Sequence, residues 1–166
     1  MNADTLEQEL RKALNSLPRA FWSEGWGART ERIKNRVGKL APTTVTVYAN
    51  RCKYKKNGEF LFDMTWIVLN KEGYIAKVPL VLESEWKRGQ EIHNDFQKLI
   101  VARADLRVMI FSAVNEDSAD SEIRKIKKQV RQFTLGGPAD RYLIAAFSEE
   151  NGSFIFSSFR RRSLGD

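Results

Sequence analysis

The feature that most constrains the fold is an almost unbroken run of apolar residues from Leu106 to Val114. A strand with one solvated face alternates apolar and polar residues, so a continuous run indicates a strand that is covered on both faces. Apolar residues recur at helical spacing on either side of this run, over residues 90–104 and 121–133. We therefore predict an α/β domain with a mixed central sheet flanked by helices.

The rest of the pattern supplies the other elements of a single domain. Helical spacing predicts a first helix ending before Pro18 and a second over residues 28–40. Alternation predicts a strand at 45–49, and Asn57-Gly58 predicts a hairpin turn leading into a second strand at 60–69. A third strand is predicted at 75–87, and a last hairpin at 142–147 and 153–159. We predict one domain over residues 1–166, with a core at about 5–114 and a C-terminal helix and hairpin at 119–160.

The chain is basic. Its 28 Lys and Arg residues against 21 Asp and Glu residues give a formal net charge of +7, which attracts polyanions. The cations concentrate on two predicted helices, although solvated helix faces explain either stripe about equally well. The residues predicted to contact nucleic acid are Arg29, Arg32, Arg36, Arg124, Lys127, Lys128 and Arg131.

Several classes of protein lose support from the sequence. A single cysteine, Cys52, excludes an internal disulfide and a cysteine-built zinc site. No segment has the length of apolar sequence that a membrane span needs, and the N-terminal residues lack a secretion signal. Phosphate-loop, nucleophile-elbow and dinucleotide-binding motifs are missing from the sequence. We expect a cytoplasmic protein with no membrane partner.

Three carboxylates interrupt the second and third predicted strands. Period-two counting places Glu83 and Glu85 on one face of the third strand. A hairpin that is symmetric about Gly73 places Asp63 opposite Glu83, and such cross-strand partners lie within about 5 Å at Cβ. Burying these carboxylates costs several kcal/mol each unless a cation compensates. We predict a Mg²⁺ site, with Mn²⁺ as a substitute, at Asp63, Glu83 and Glu85, beside Lys87. The alternative is an exposed strand end whose acids pair with nearby basic residues.

The order of these elements resembles the PD-(D/E)XK nuclease superfamily, which includes restriction endonucleases. The resemblance covers about residues 5–114 and rests on order and spacing. Three local strings add to it: Phe62-Asp63-Met64-Thr65-Trp66, Leu82-Glu83-Ser84-Glu85-Trp86 and Asp95-Phe96-Gln97-Lys98-Leu99. The resemblance implies a restriction-endonuclease-like fold with an αβββαβ core, and a small bacterial member of the superfamily. It also implies Mg²⁺-dependent hydrolysis of phosphodiester bonds, with Asp63 as the strand-two metal ligand.

The resemblance allows two alignments of the third strand. In the first, Glu83 is the acidic ligand, the backbone carbonyl of Ser84 faces the metal, and Glu85 occupies the usual lysine position. In the second, Glu85 and Lys87 form the motif and Glu83 is an additional acid. The first is favoured, because the apolar part of the strand stops at Leu82 and the acidic position commonly follows it directly.

Residues on two helices are predicted to complete this site. The resemblance implies that Lys98, on the helix after the third strand, replaces the missing lysine. A salt bridge between Lys98 and Asp95, three residues apart on one helix face, is the alternative interpretation. Glu7 or Glu9 on the first helix is predicted to offer a further acid.

The sequence thus predicts a Mg²⁺-dependent endonuclease that acts on DNA, with RNA as an alternative substrate. The predicted catalytic residues are Asp63, Glu83, Glu85, Lys87 and Lys98. Whether a homodimer cuts both strands is left open by the sequence. The competing hypothesis is a non-catalytic module that keeps the fold and binds nucleic acid or a partner protein, for example as a subunit of a bacterial defence system.

Overall fold

A six-stranded mixed sheet with helices on both faces organises the chain. The computed structural model describes residues 1–164, apart from the side chains of residues 19 and 164. Its α-helices are α1 (Ala3–Asn15), α2 (Trp26–Gly38), α3 (Gln90–Val101) and α4 (Glu116–Gln132). Its strands are β1 (Thr46–Tyr48), β2 (Met64–Leu69), β3 (Ile75–Glu85), β4 (Leu106–Ala113), β5 (Arg141–Ser148) and β6 (Ser153–Arg160). Short 3-10 helices span Arg19–Ser23 and Arg161–Leu164.

Spatial order in the sheet follows chain order from β1 to β6. The strands β3, β4 and β5 run parallel to one another, and the remaining neighbours are antiparallel. The α3 and α4 helices make the crossovers between the parallel strands, as a parallel connection requires. This arrangement confirms the predicted α/β class with a mixed sheet flanked by helices.

Two hydrophobic cores cover opposite faces of the sheet, and β4 contributes to both. The α1 and α2 helices pack on one face, where Leu10 and Ile33 meet Ile110 of β4. The α3 and α4 helices pack on the other face, where Phe96 meets Met109. Every residue of β4 is buried, which explains the almost unbroken apolar run from which the fold was predicted.

The connection between β1 and β2 differs from the prediction. The predicted tight turn at Asn57-Gly58 and the strand starting at residue 60 are wrong, because β2 begins only at Met64. Leu61 adopts φ +66°, a left-handed conformation that no β-strand contains. Residues 49–63 instead form a long loop that folds back on β1, where the Lys56 N–H donates to the Val47 carbonyl at 2.9 Å.

The register of β2 against β3 agrees with the prediction close to Asp63. Met64 pairs with Leu82 in the last pair of this ladder, and continuing the register by one position brings Asp63, which precedes β2, level with Glu83. Closer to the turn the register shifts, and Leu69 pairs with Ile75 rather than with the partner that a turn symmetric about Gly73 requires. The two strands are in the predicted register again before they reach the acidic residues. Among residues 1–164, no helix combines the length and apolar character that crossing a bilayer needs.

Two leucine-to-alanine substitutions test the packing of the α1 face. Leu10 is 0% exposed, so Leu10→Ala removes buried contacts and should lower the free energy of unfolding by about 2–5 kcal/mol. Leu135 is 85% exposed, and Leu135→Ala should change it by no more than about 0.5 kcal/mol. Urea denaturation followed by circular dichroism measures both. Equal effects for the two variants would contradict this packing.

Candidate functional site

A buried carboxylate on β3 is the electrostatic centre of the candidate site. Glu83 is 4% exposed and lies on the α3 side of the sheet, on the same strand face as Val81. Burial, and after it the neighbouring charge of Asp63, raises the pKa of Glu83 to about 8. At neutral pH this side chain therefore holds a proton unless a further positive charge approaches it.

Lys98 of α3 is the cation that reaches Glu83. Its Nζ lies 3.4 Å from Glu83 Oε1 and 2.6 Å from Asp95 Oδ1. The hydrogen bond to Asp95 is the main reason that the pKa of Lys98 is raised. Both interpretations of this helix thus coexist, since Lys98 makes the salt bridge along α3 and also projects toward the acidic residues. Because the ammonium lies closer to Asp95, it offsets only part of the cost of burying Glu83.

Asp63 is fixed by the backbone and side chain of β3. Its Oδ2 accepts hydrogen bonds from the Ser84 backbone N–H at 2.9 Å and from the Ser84 hydroxyl at 2.7 Å. Its Oδ1 lies 3.9 Å from Nζ of Lys34 on α2. The carboxylate therefore stands at the start of β2 in one orientation, between β3 and α2.

A hydroxyl chain extends from Asp63 into α2. Thr30 Oγ1 accepts a hydrogen bond from the Trp86 indole N–H at 2.8 Å and lies 3.1 Å from Ser84 Oγ. Ser84 has a single hydroxyl hydrogen, so if it donates that hydrogen to Asp63, the Thr30 hydroxyl donates to Ser84 in turn. Thr30 thereby links the orientation of Asp63 to helix α2.

Sequence reasoning missed Lys34, which is 4% exposed. Its Nζ lies 3.1 Å from Glu59 Oε1, and the ion pair ties α2 to the loop that leads into β2. A signal for this role exists in the sequence: Thr30 and Lys34 are four residues apart, and Lys34 follows directly on Ile33 of the predicted apolar stripe. A cavity of about 300 Å³ opens beside these side chains, between α2 and the loop.

Within residues 1–164, neither Glu85 nor Lys87 forms a hydrogen bond or an ion pair with Asp63. The Glu85 carboxylate accepts a hydrogen bond from the Lys87 backbone N–H at 2.6 Å, which closes the end of β3. Lys87 itself is exposed. Within residues 1–164, no three or more His, Cys, Asp and Glu side chains form a group that could hold a metal ion. From the predicted set, the structure brings Lys98 to Glu83 on the α3 side of the sheet. Asp63 lies close enough for its charge to act on Glu83, but its own hydrogen bonds and ion pair are with Ser84 and with Lys34 of α2.

The acids of the first helix, Glu7 and Glu9, form ion pairs away from the candidate site. Burial acts to raise the pKa of Glu7, but hydrogen bonds from Ser158, Arg141 and Arg11 outweigh it, and the pKa is lowered. These contacts connect α1 to β5 and β6, away from the start of β2. Glu9 pairs within α1. Neither acid contacts Asp63 or Glu83 within residues 1–164.

The two predicted basic stripes lie on opposite faces of the sheet, because α2 packs in one core and α4 in the other. On α2, Arg29 turns inward: its guanidinium donates to backbone carbonyls of residues 22 and 24 and lies 5.6 Å from the centre of the Trp86 ring. Arg32 pairs with Glu24 at 2.5 Å. Arg36 is half-buried.

On α4, Arg124, Lys128 and Arg131 are exposed, and Lys127 lies over the ring of Phe159 at 5.5 Å. Lys34 of α2 contacts Asp63, whereas no ion pair recorded within residues 1–164 joins α4 to an acid of the candidate site. Of the two stripes, the one on α2 is therefore the one beside Asp63.

The pH dependence of stability tests the burial of Glu83. The unfolded chain loses this proton near pH 4.5 while the folded chain keeps it to about pH 8, so burial of Glu83 lowers stability progressively as the pH rises through that window. Glu83→Gln, measured by urea denaturation in metal-free buffer, should match the wild type near pH 4 and exceed it at pH 8 by roughly 3–5 kcal/mol. Glu150→Gln, at an exposed position, should follow the wild type throughout. If the free energies of unfolding of Glu83→Gln and of the wild type changed in parallel with pH, the burial of Glu83 would be contradicted.

Comparison of the chain with protein-family models, with curated proteins and with solved structures returns no match. The likeness to the PD-(D/E)XK superfamily therefore stays a prediction that rests on the residues and their order. The architecture itself, a six-stranded mixed sheet between two layers of helices, stands on the structure.

Proposed function

We propose that the protein is a Mg²⁺-dependent nuclease that hydrolyses DNA phosphodiester bonds on a restriction-endonuclease-like fold. The observation that carries the proposal is the buried carboxylate of Glu83, which feels the charge of Asp63 and is reached by one cation, Lys98. Buried carboxylates with so little compensation are typical of functional sites rather than of structural ion pairs.

The residues present fit a divalent cation. Magnesium is usually held by one or two carboxylates, with water and substrate phosphate oxygens completing its ligands. Asp63 and Glu83 supply such a pair, and the pKa of about 8 for Glu83 means that a cation binding there releases a proton at neutral pH. Glu85, two residues along the strand, is a third candidate ligand. A bound Mg²⁺ would activate water and stabilise the charge that develops on the phosphodiester.

The protein's own side chains would orient the metal ligands and neutralise the charge of the phosphate. Ser84, through both its N–H and its hydroxyl, holds Asp63 Oδ2 in place, so this ligand loses little rotational freedom when a cation binds. Lys98 carries a fixed positive charge beside Glu83, and the salt bridge to Asp95 positions it. Lys98 is therefore the cationic residue that we assign to the phosphate, in preference to the exposed Lys87.

A second candidate function has its own support. Asp63 accepts hydrogen bonds from Ser84 and faces Lys34, so its carboxylate already has a structural role without any metal. A chain with this arrangement and a net charge of +7 could bind nucleic acid without cutting it. Such a module would bind DNA equally well with and without divalent cations.

A cleavage assay separates these functions. Labelled single-stranded DNA, duplex DNA and RNA are incubated with the protein and 5 mM Mg²⁺ or Mn²⁺, on the order of the millimolar levels at which weakly held Mg²⁺ binds. We expect DNA cleavage by the wild type and a loss of about 100-fold or more in Asp63→Asn and Glu83→Gln, equivalent to roughly 3 kcal/mol of transition-state stabilisation. Glu150→Gln is the matched control and should cut like the wild type.

Metal binding is measured in parallel by isothermal titration calorimetry. Mg²⁺ should give a saturable heat signal with the wild type and with Glu150→Gln, but not with Asp63→Asn. If the wild type neither cuts nor binds a divalent cation while it still binds DNA, the non-catalytic module replaces the nuclease. Unchanged cleavage by Asp63→Asn would remove the assigned site.

A further inference from the structure

A second cavity, of about 280 Å³, lies on the far side of α2 from Asp63, where α2 meets the turn after α1 and the long loop of residues 49–63. It is a different opening from the one beside Lys34. Its lining combines cations, one amide and one exposed aromatic ring above a short apolar floor. The residues that line it are Leu17, Pro18, Arg32, Asn35, Arg36, Lys39, Lys53 and Tyr54.

The charge of this cavity is uncompensated. Arg32 pairs with Glu24, but Arg36, Lys39 and Lys53 have no ion pair with any acid among residues 1–164. No acidic residue lines the opening. Cations that line one opening repel one another, and an anion with several oxygens is the ligand that relieves this repulsion.

The wall that carries Lys53 and Tyr54 is held against α2 by specific contacts. The Lys53 backbone N–H donates to the Asn35 side chain at 2.7 Å. Gly38 allows the close approach, because a Cβ at that position would lie 3.0 Å from Cys52 Sγ and 3.1 Å from Tyr54 Cβ. The cavity is therefore formed before any ligand arrives, and its lining loses little backbone freedom on binding.

We propose that this cavity binds a backbone phosphate of single-stranded nucleic acid and that Tyr54 stacks on an adjacent unpaired base. The cations suit the phosphate, and the Tyr54 ring, 46% exposed beside them, offers the stacking surface. A basic groove with an aromatic platform is the combination by which proteins hold single strands, because paired bases in a duplex do not expose their faces. This inference rests on the proposed nuclease function at one point only, where the bound strand is delivered to Asp63.

The geometry connects the two places through α2. Asn35 faces the cavity, while its neighbour Lys34 faces Asp63 at 3.9 Å. The loop of residues 49–63 likewise carries Tyr54 in its first half and Asp63 at its end. A strand that is held in the cavity would therefore lie about one helix diameter, roughly 10 Å, from Asp63.

Binding is measured in EDTA, so the result does not depend on cleavage. Fluorescence anisotropy uses a labelled dT15 strand and a 15-base-pair duplex at about 50 mM salt, where phosphate contacts are strong. We expect the wild type to bind dT15 at least about fivefold more tightly than the duplex. Tyr54→Leu keeps the Cβ that packs on Gly38 and should weaken dT15 binding roughly tenfold, with little change for the duplex. Tyr54→Phe, which keeps the ring, should bind like the wild type.

Charge-matched double variants test the phosphate contact. Arg36→Ala/Lys39→Ala should weaken dT15 binding at least about tenfold and lower the slope of log K against log salt by about one to two. Lys71→Ala/Arg103→Ala removes the same charge from exposed positions elsewhere and should change binding by no more than about twofold. Thermal unfolding confirms that each variant is folded.

Equal losses in the two double variants, or equal affinity for dT15 and duplex with no effect of Tyr54→Leu, would overturn the cavity as a single-strand site. Retention of this binding pattern in a protein that cuts nothing would overturn the nuclease proposal alone. The two failures are therefore distinguishable.

Discussion

Burial of the Glu83 carboxylate is the interaction around which the site is organised. β3 is antiparallel to β2 and parallel to β4, so it is enclosed by neighbours on both edges and by helices on both faces. A negative charge in that position is costly, and the fold answers with one ammonium, Lys98, that it shares with Asp95. The remaining cost of burying the charge is removed when Glu83 binds a proton or another cation. The state of Glu83 therefore depends on the pH and on the cations around it.

Helix α2 joins the electrostatic centre to the basic surface. One side of the helix presents Lys34 and Thr30 to Asp63 and Ser84, and the other side lines the cationic cavity with Arg36 and its neighbours. The apolar stripe of α2 anchors both sides to the same hydrophobic core. Since a helix transmits position with little internal bending, a phosphate on one side and a metal ion on the other, bound as we propose, would be held at a fixed separation.

The parts of the molecule that were predicted are those set by periodicity. The apolar run from Leu106 predicted the doubly covered strand, because such a strand needs no polar face. The hairpin count predicted the register of Met64 with Leu82 beside Asp63, although the turn around Gly73 is irregular. Helix α4 begins earlier than predicted, at Glu116, because its first turns are polar and an Asn115–Ser118 capping box fixes the start. The roles of Lys34 and Thr30 escaped prediction because they depend on which face of α2 meets a strand far away in sequence. The four-residue spacing of Thr30 and Lys34 beside Ile33 places both at the margin of the apolar stripe, but it does not show which strand they meet.

The loop between β1 and β2 has a consequence for how such a protein can diversify. A segment free of strand pairing over most of its length carries Lys53 and Tyr54 on one arm and ends at Asp63 on the other. If Tyr54 stacks on a base as we propose, lengthening or shortening the segment between Tyr54 and Asp63 would alter the distance from that base to Asp63, while the six strands keep their registers. The length or end of the nucleic acid that the protein prefers would then depend on the geometry of the loop. It would not depend on the residues of the sheet that carry out the chemistry.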